Sequence, residues 1–342
     1  MRHLFYVHSP IARLMAGAIL AHHDLDPAAV VYLTDRGQVV PGVVALDVSD
    51  WQWRPLRGVR HNFALLDRLD AWLAEQFVGA PFTFYLPHHL LPTLRAVTSH
   101  PHCTAFHYVE EGLDSYQNKT ALQAIHRLRK ATFKERLAAT LKYRGRIAAA
   151  RGFYAAADPR FARASGYGLS AETFPDLPDT VVLPPPFPPD ARYADITHVL
   201  APSPESEVGY YPLADQLAVI EGLLYYLAAQ NVATLHVKFH PRQLRPGGSA
   251  AAFRARFAAW TGRLSIVELP ADAVLESVAV SSRASFYVGT SSVGLYAALC
   301  GCPAYSYAPA LVARNAVYAR IADRLPAAFR RLVQPVALPL AP

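Results

Sequence analysis

Val237-Lys238-Phe239-His240-Pro241 is the stretch from which the fold of this chain can be worked out. The run from Ala233 to Phe239 is rich in β-branched and aromatic residues, which predicts a buried strand that ends at His240. Pro241 has no N–H group, so it stops the ladder and fixes a turn. Ligands of open α/β sheets bind just outside the carboxyl ends of the strands. His240 is therefore predicted to lie where a ligand binds, although a turn histidine without a function would show the same pattern.

The composition indicates a two-domain protein with an anionic partner. The chain has 342 residues, of which 52% are hydrophobic, and its net charge is +7. An excess of positive charge favours nucleic acid, an acidic glycan or anionic lipid as the partner. Cys103, Cys300 and Cys302 match neither a disulfide framework nor a zinc site, so we expect free thiols in a reducing compartment.

No stretch resembles a secretory signal or a membrane span. We therefore expect a cytoplasmic protein, or a peripheral one on the inner face of the inner membrane.

Strand-like and helix-like segments alternate along the chain, which predicts an α/β fold with doubly wound parallel sheets. The first series includes the strands His3–Val7, Phe82–Leu86 and Thr104–Val109. A second series begins at Ile196, after a proline-rich segment. We predict an N-terminal domain over residues 1–175, a linker over 176–195 and a C-terminal domain over 196–342. The sequence contains neither a dinucleotide fingerprint nor a P-loop.

Two adjacent carboxylates, Glu110 and Glu111, follow the predicted strand Thr104–Val109 and precede Gly112. Successive strand residues point to opposite faces, so only one carboxylate is expected to enter a cleft. The other would cap the next helix or hold the first in place. A solvated acidic turn is the alternative interpretation.

Gly289-Thr290-Ser291-Ser292 predicts a small-residue turn from a strand into a helix. Such a turn directs free N–H groups and hydroxyls toward an anion, and phosphate is the usual occupant. Plain N-capping is the alternative. Lys238 is expected to share a face with His240 and to add positive charge there.

The segment from Gln117 to Arg151 is predicted to be helical and strongly basic. Either it is a solvated helical face, or it contacts an anionic acceptor or the membrane surface. Its cationic residues from Arg127 onward, among which Glu135 is the only acid, are Arg127, Arg129, Lys130, Lys134, Arg136, Lys142, Arg144, Arg146 and Arg151.

The three strand-end motifs occur together in one known family. Phe106–Gly112, Lys238–Pro241 and Thr290–Ser292 stand in the order and domain placement of the acidic-acidic-Gly, His-Pro and Ser-Ser motifs of bacterial sialyltransferases. The chain resembles this family, which includes the capsule polysialyltransferases and the lipooligosaccharide sialyltransferases. The opening strand, which ends in His8-Ser9-Pro10, is also similar.

The resemblance implies a GT-B fold, in which two Rossmann-like domains with parallel sheets face an interdomain cleft. It implies an inverting, metal-independent glycosyltransferase that transfers sialic acid from CMP-sialic acid to a bacterial capsule or lipopolysaccharide. The CMP-sugar is a donor substrate, and no further cofactor is expected. The acceptor would be an anionic oligosaccharide or glycolipid.

The resemblance also implies roles for individual residues. Glu110 would be the general base on the acceptor hydroxyl, with Glu111 as the second choice because one sequence does not fix the register. His240 would be the general acid, or the charge stabiliser, on the departing CMP phosphate. Ser291 and Ser292 would bind that phosphate.

Further donor contacts are implied around these residues, with Thr290, Lys238 and Pro241 completing the site. The family's ribose-binding Pro-x-Glu is replaced here by Pro270-Ala271-Asp272, and Glu276 is a candidate one turn later. Ser9 and the loop Ala201–Gly209 are candidates for contact with the carboxylate of the donor sugar.

Other functions remain open at this point. The same fold could use CMP-Kdo, another CMP-nonulosonic acid, or a CDP-alcohol as in the teichoic-acid polymerases. A non-catalytic module that binds acidic glycan or membrane is the remaining alternative. Nucleic acid is disfavoured because the basic segment lacks interleaved stacking aromatics. The sequence shows no zinc-ligand spacing, so no metal is expected.

Overall fold

The structure, a computed structural model, describes residues 1–129, 131–147 and 152–338. Lys130 and Arg151 of the predicted basic segment lie outside the described residues. The chain divides into two compact units, Met1–Pro186 and Phe187–Pro342. Each unit is built on one parallel sheet, with seven strands in the first and six in the second. The predicted α/β class is confirmed, with two Rossmann-like sheets of the kind that make up the GT-B type.

All strands of the first sheet run parallel, in the order β3-β2-β1-β4-β5-β6-β7. The carboxyl ends of the strands therefore share one edge. The strands are β1 (Arg2–Val7), β2 (Val30–Thr34), β3 (Ala45–Asp47), β4 (Phe82–Leu86), β5 (Cys103–Val109), β6 (Ser165–Gly168) and β7 (Asp179–Val182).

Most helices of the first unit bury apolar side chains, and a core of this unit includes Leu4, Leu66 and Phe106. The first helix begins after Ser9 because the Ser9 side chain accepts a hydrogen bond from the N–H of Ala12 and Pro10 takes the first helical position. The helices are α1 (Pro10–His22), α2 (Val59–Phe77), α3 (Pro92–Thr98), α4 (Lys119–Ile125) and α5 (Phe133–Lys142).

The basic segment, predicted to be helical, is helical in only part of its described length. Helix α4 ends at Ile125, and Arg127 adopts a left-handed backbone with a φ of 51°. Helix α5 then starts afresh at a capping box, in which Thr132 and Glu135 satisfy each other's backbone N–H groups. Over its described residues the segment therefore contains two short helices.

The second sheet has the order β10-β9-β8-β11-β12-β13, again with parallel pairing throughout. Its strands are β8 (His198–Ala201), β9 (Thr234–Val237), β10 (Ser265–Glu268), β11 (Ser285–Val288), β12 (Ala304–Ser306) and β13 (Gln334–Pro335). The helices are α6 (Leu213–Ala229), α7 (Ala250–Ala258), α8 (Leu275–Ser281), α9 (Ser292–Leu299), α10 (Ala308–Arg314), α11 (Ala319–Ala322) and α12 (Ala327–Leu332).

The boundary between the units differs from the predicted linker over residues 176–195. Residues 179–182 of that segment form β7, which pairs with β6 at the edge of the first sheet. Thr180, Val181 and Val182 are β-branched, which favours a strand before the proline run begins. The second unit starts at Phe187, whose buried ring packs near Tyr296 of α9.

Within the described part of the chain, no helix combines the length and apolar character that a membrane crossing requires.

Candidate functional site

Three polar side chains meet at the carboxyl edge of the first sheet. His8 follows β1, His88 follows β4 and Glu111 follows β5. The Nε2 atom of His8 lies 2.6 Å from one carboxylate oxygen of Glu111, and the Nε2 atom of His88 lies 3.6 Å from the other. Three neighbouring strand ends thus bring two imidazoles onto one carboxylate.

The electrostatics of this cluster keep the Glu111 carboxylate ionised. Burial by itself would raise the pKa of Glu111, but the hydrogen bond from His8, with His88 and Arg36 nearby, lowers that pKa below its usual value. Burial lowers the pKa of His88. An ionised carboxylate that keeps some solvent exposure is able to accept a proton from a bound hydroxyl.

Glu110 has the opposite surroundings. It is fully buried, and its Oε2 atom accepts hydrogen bonds from the N–H of Leu169 at 2.7 Å and from the hydroxyl of Thr173 at 3.4 Å. Leu169 directly follows β6, so Glu110 fastens the chain that leaves that strand. The alternation of strand residues, which predicted different surroundings for Glu110 and Glu111, accounts for this difference.

A second carboxylate–imidazole pair adjoins the first. The Nε2 atom of His126 lies 2.8 Å from Asp114, and this hydrogen bond raises the pKa of His126. The rings of His126 and His88 both contact the ring of Phe153, each at a centroid distance of 5.6 Å. The described residues hold no group of three or more histidine, cysteine, aspartate or glutamate side chains placed to bind a metal ion.

None of the motifs found in the sequence includes His88, His126 or Asp114. His88 could have been found, because it follows a predicted strand by two residues. Ser9, proposed from the sequence to contact substrate, is the N-cap of α1. That observation explains its presence without a ligand and leaves the substrate contact untested.

In the second unit, His240 stands exposed after β9. Its Nδ1 atom accepts a hydrogen bond from the backbone N–H of Arg242 at 3.1 Å. The backbone N–H of His240 donates to the side-chain oxygen of Gln243 at 2.9 Å. A backbone N–H can only donate, so the proton of the neutral imidazole resides on Nε2. Partial desolvation of the ring and the charge of the neighbouring Arg242 lower the pKa of His240. The geometry therefore presents a neutral imidazole with an Nε2–H donor.

The Gly289–Ser292 turn connects β11 to α9. Ser291 is the N-cap of this helix, and its hydroxyl accepts a hydrogen bond from the N–H of Val293 at 3.3 Å. The N-capping interpretation is thus realised at Ser291. It is compatible with anion binding, because the start of α9 still directs N–H groups and the positive end of the helix dipole toward this edge.

The other predicted donor residues differ in exposure. Lys238 is buried, its ammonium group donates to the carbonyl of Phe239 at 3.3 Å, and burial lowers its pKa. Glu276 is buried in the first turn of α8, and burial raises its pKa. Asp272 and Pro241 are exposed. Lys238 is therefore covered, whereas His240 is open to solvent.

A buried polar network that no motif contains connects these elements. The side-chain amide of Gln216 donates to the carbonyl of Ser203 and to a carboxyl oxygen of Glu205, both at 2.7 Å. The same carbonyl of Ser203 accepts from Gln243, whose side-chain oxygen holds the backbone of His240. The network thus contacts the His240 turn from the buried interior of the second unit.

The same network reaches the Gly289–Ser292 turn. The hydroxyl of Tyr318 donates to Glu205 at 3.2 Å and is also hydrogen-bonded to the side chain of Thr290. A Cβ atom on Gly289 would lie 2.7 Å from a carboxyl oxygen of Glu205, so a side chain at this position would displace that carboxyl group. Burial raises the pKa of Glu205 to about 7.

Comparisons with known proteins relate the chain to several solved structures. No family model matches the sequence, and no curated protein sequence matches it. A UDP-GlcNAc 2-epimerase from Methanocaldococcus jannaschii is 11% identical, with a TM-score of 0.43 over 90% of this chain and 83% of that one. A trehalose-phosphate synthase from Burkholderia xenovorans is 13% identical, with a TM-score of 0.43 over 97% and 95% of the two chains.

The wall teichoic acid polymerase TagF is also similar, at 9% identity and a TM-score of 0.42 over 97% of this chain and 84% of that one. At these identities and TM-scores the similarities assign no activity to the chain.

Proposed function

We propose that this chain is a glycosyltransferase that uses a nucleotide-activated sugar, and that it transfers sialic acid from CMP-sialic acid to a bacterial surface glycan. The observation that carries the proposal is the ionised Glu111 carboxylate, held at 2.6 Å by His8 where a strand ends. A glycosyl acceptor reacts through a hydroxyl group, which needs a base of this kind. The acidic-acidic-Gly, His-Pro and Ser-Ser motifs support the donor class.

Glu111, rather than Glu110, is the general base in this proposal. Glu111 keeps part of its surface exposed, whereas Glu110 is fully buried and bound to the backbone of Leu169. The acceptor hydroxyl passes its proton to Glu111 while its oxygen forms the bond to the anomeric carbon. The hydrogen bond from His8 orients the carboxylate during this step.

The leaving CMP phosphate is stabilised in the second unit. The bond between the anomeric carbon and the phosphate oxygen breaks, and its electron pair leaves with the phosphate. The Nε2–H of His240 donates a hydrogen bond to that oxygen, and the turn at Thr290, Ser291 and Ser292 offers hydroxyl and backbone donors. Neutral His240 therefore acts as a charge stabiliser more than as a proton donor.

Asp272 is the proposed ligand of the ribose hydroxyls because its carboxylate is exposed after Pro270. Glu276 is buried, and its charge interacts with that of Lys238. We assign Glu276 to the support of Lys238, which adds positive charge near the phosphate.

The test is release of CMP or CDP by the full chain from CMP-sialic acid, CMP-Kdo and CDP-glycerol. Release from CMP-sialic acid that is lost in Glu111→Gln and His240→Ala, but kept in the exposed control Glu75→Gln, supports the proposal. Release from another donor alone keeps the glycosyltransferase and overturns the sialic acid assignment. No release, with no thermal shift from CMP or CDP, overturns both.

A further inference from the structure

Helix α5 carries a stripe of large apolar side chains that the fold leaves uncovered. Phe133, Leu137 and Leu141 are 80%, 51% and 57% exposed. They are spaced four residues apart, so they form one continuous stripe along the helix. The opposite side of the helix packs against the core of the first unit through Ala139. A stripe of this size on a folded surface indicates a binding site.

Positive charge lines both sides of this stripe. At 100° per residue, Lys134 lies on one side of Leu137 and Arg136 on the other. Both are exposed, and within the described part of the chain neither forms an ion pair. Glu135, an acid on α5, is paired with Arg129 at 2.6 Å.

A neighbouring turn enlarges the same surface. The short 3-10 turn Leu56–Gly58 packs against α5, and Leu56 is 47% exposed. Arg57 beside it is exposed and belongs to no ion pair among the residues that the structure describes. We call this set the α5 surface; it consists of Leu56, Phe133, Lys134, Arg136, Leu137 and Leu141.

The chemistry of the α5 surface identifies its partner. An acidic glycan or a nucleic acid would pair with the cations but would leave the three large apolar side chains of α5 in water. An anionic bilayer offers both a negative surface and an acyl boundary into which Phe133 and the leucines can insert. The capping box stabilises the N-terminus of α5, so this helical face is formed before any lipid is bound.

We propose that the α5 surface binds the surface of an anionic lipid bilayer, with α5 lying in the interface plane. The helix has ten residues, a length suited to lying in the interface rather than to crossing the bilayer. The inference rests on exposed side chains of the first unit and does not depend on the proposed glycosyltransferase activity.

Co-sedimentation of the full chain with vesicles tests this proposal. Vesicles that mix phosphatidylglycerol with phosphatidylcholine should bind the protein, whereas phosphatidylcholine alone should bind it at least about tenfold less, because the cations contribute much of the attraction. Added salt should weaken binding. The variant Phe133→Ser/Leu137→Ser removes apolar area, and Lys134→Glu/Arg136→Glu reverses the charge. Each should lower the bound fraction roughly tenfold or more.

Matched controls separate this surface from general properties of the protein. Val39→Ser/Val78→Ser removes two exposed valines elsewhere on the first unit, and Arg13→Glu/Arg283→Glu makes the same change in net charge. Both controls should bind vesicles like the wild type, with unchanged melting temperatures in all variants.

Three outcomes would overturn the proposal. The first is no binding of the wild type to anionic vesicles. The second is a loss in the controls equal to that in the test variants. The third is a loss in the charge variant with none in the apolar variant, which would show that the apolar side chains do not enter the bilayer. The donor-hydrolysis assay in solution reports on the proposed function separately.

Discussion

The carboxyl edges of the two sheets are built on different principles. In the first unit, Glu111 is held by other side chains, His8 and His88, each from a different strand end. In the second unit, His240 is held by the backbone N–H of Arg242 and by a buried side chain, Gln243. A site made by side chains is changed by altering its visible residues. The position of His240 depends instead on backbone groups and on buried residues that lie outside the sequence motifs.

The sharpest test of this contrast is the pair of adjacent glutamates. Glu111→Gln should lower the rate of transfer by about 100- to 10,000-fold, because the amide cannot accept the proton. Steady-state transfer and CMP binding by calorimetry measure the change, and CMP affinity should stay unchanged.

Glu110→Gln is the matched comparison. Its amide oxygen still accepts from Leu169, so transfer should remain within a few-fold of the wild type, while the free energy of unfolding falls by about 1–3 kcal/mol. The reverse pattern, with Glu110→Gln inactive and Glu111→Gln active, would show that Glu110 is the base.

The second test removes the hydrogen-bond donor, the Nε2–H of His240, at the carboxyl edge of the second sheet. His240→Ala should lower donor cleavage by roughly 100- to 1,000-fold, because the Nε2–H no longer meets the leaving phosphate oxygen. Arg245→Ala, an exposed residue of the same loop, is the control and should cleave CMP-sialic acid normally. Wild-type cleavage by His240→Ala would remove the catalytic role of this imidazole.

The third test concerns the network beneath the second edge. The folded protein keeps the Glu205 proton up to about pH 7, whereas the unfolded chain releases it near pH 4.5. The folded state therefore binds more protons in this range, and its free energy of unfolding falls as the pH rises through it. In Glu205→Gln the free energy of unfolding should fall by up to about 3 kcal/mol less than in the wild type over this pH range, because glutamine does not titrate.

Chemical denaturation of the wild type and Glu205→Gln between about pH 4.5 and pH 8 measures the difference. The groups that face Glu205 are Glu207, Tyr307, Tyr318, Gln216 and Ser203. The pKa of Glu207 is lowered and the pKa values of both tyrosines are raised, so none of these groups shares the upward shift of a carboxyl pKa into this pH range. Parallel stability curves for the two proteins would show that Glu205 does not carry the effect.

The smallest expected effect is at the N-cap of α9. Ser291→Ala should lower the free energy of unfolding by about 1 kcal/mol, because the N–H of Val293 loses its acceptor. Ser292→Ala should cost less stability, since Ser292 is the first helical residue and not the cap. Both variants should weaken CMP binding if their hydroxyls contact phosphate, and a titration with CMP measures this.

Local sequence patterns predicted the strands that matter. Strands β5, β9 and β11 end near residues 109, 237 and 288 because apolar β-branched and aromatic residues give way to charged, proline or glycine residues there. The distinct surroundings of Glu110 and Glu111 followed from the period of two, but the sequence could not tell which face was buried. That choice depends on the packing of the chain after β6, which supplies the N–H of Leu169.

Contacts between distant segments lay beyond local patterns. Glu205 lies in a loop and Gln216 in the helix that follows it, whereas Tyr318 lies in a turn 113 residues after Glu205, and these side chains meet only in the folded core. The meeting of His8 with Glu111 likewise needs the order of β1, β4 and β5 in the sheet. The break after α4 was missed because a left-handed residue such as Arg127 carries no composition signal.

The unequal surroundings of Glu110 and Glu111 have an evolutionary consequence. Aspartate is one methylene shorter than glutamate, and at position 110 it would draw the carboxylate away from the N–H of Leu169, now 2.7 Å distant. At position 111 a mobile acceptor can follow a shorter base. Homologous chains should therefore keep glutamate at the first position for folding and accept either acid at the second for chemistry.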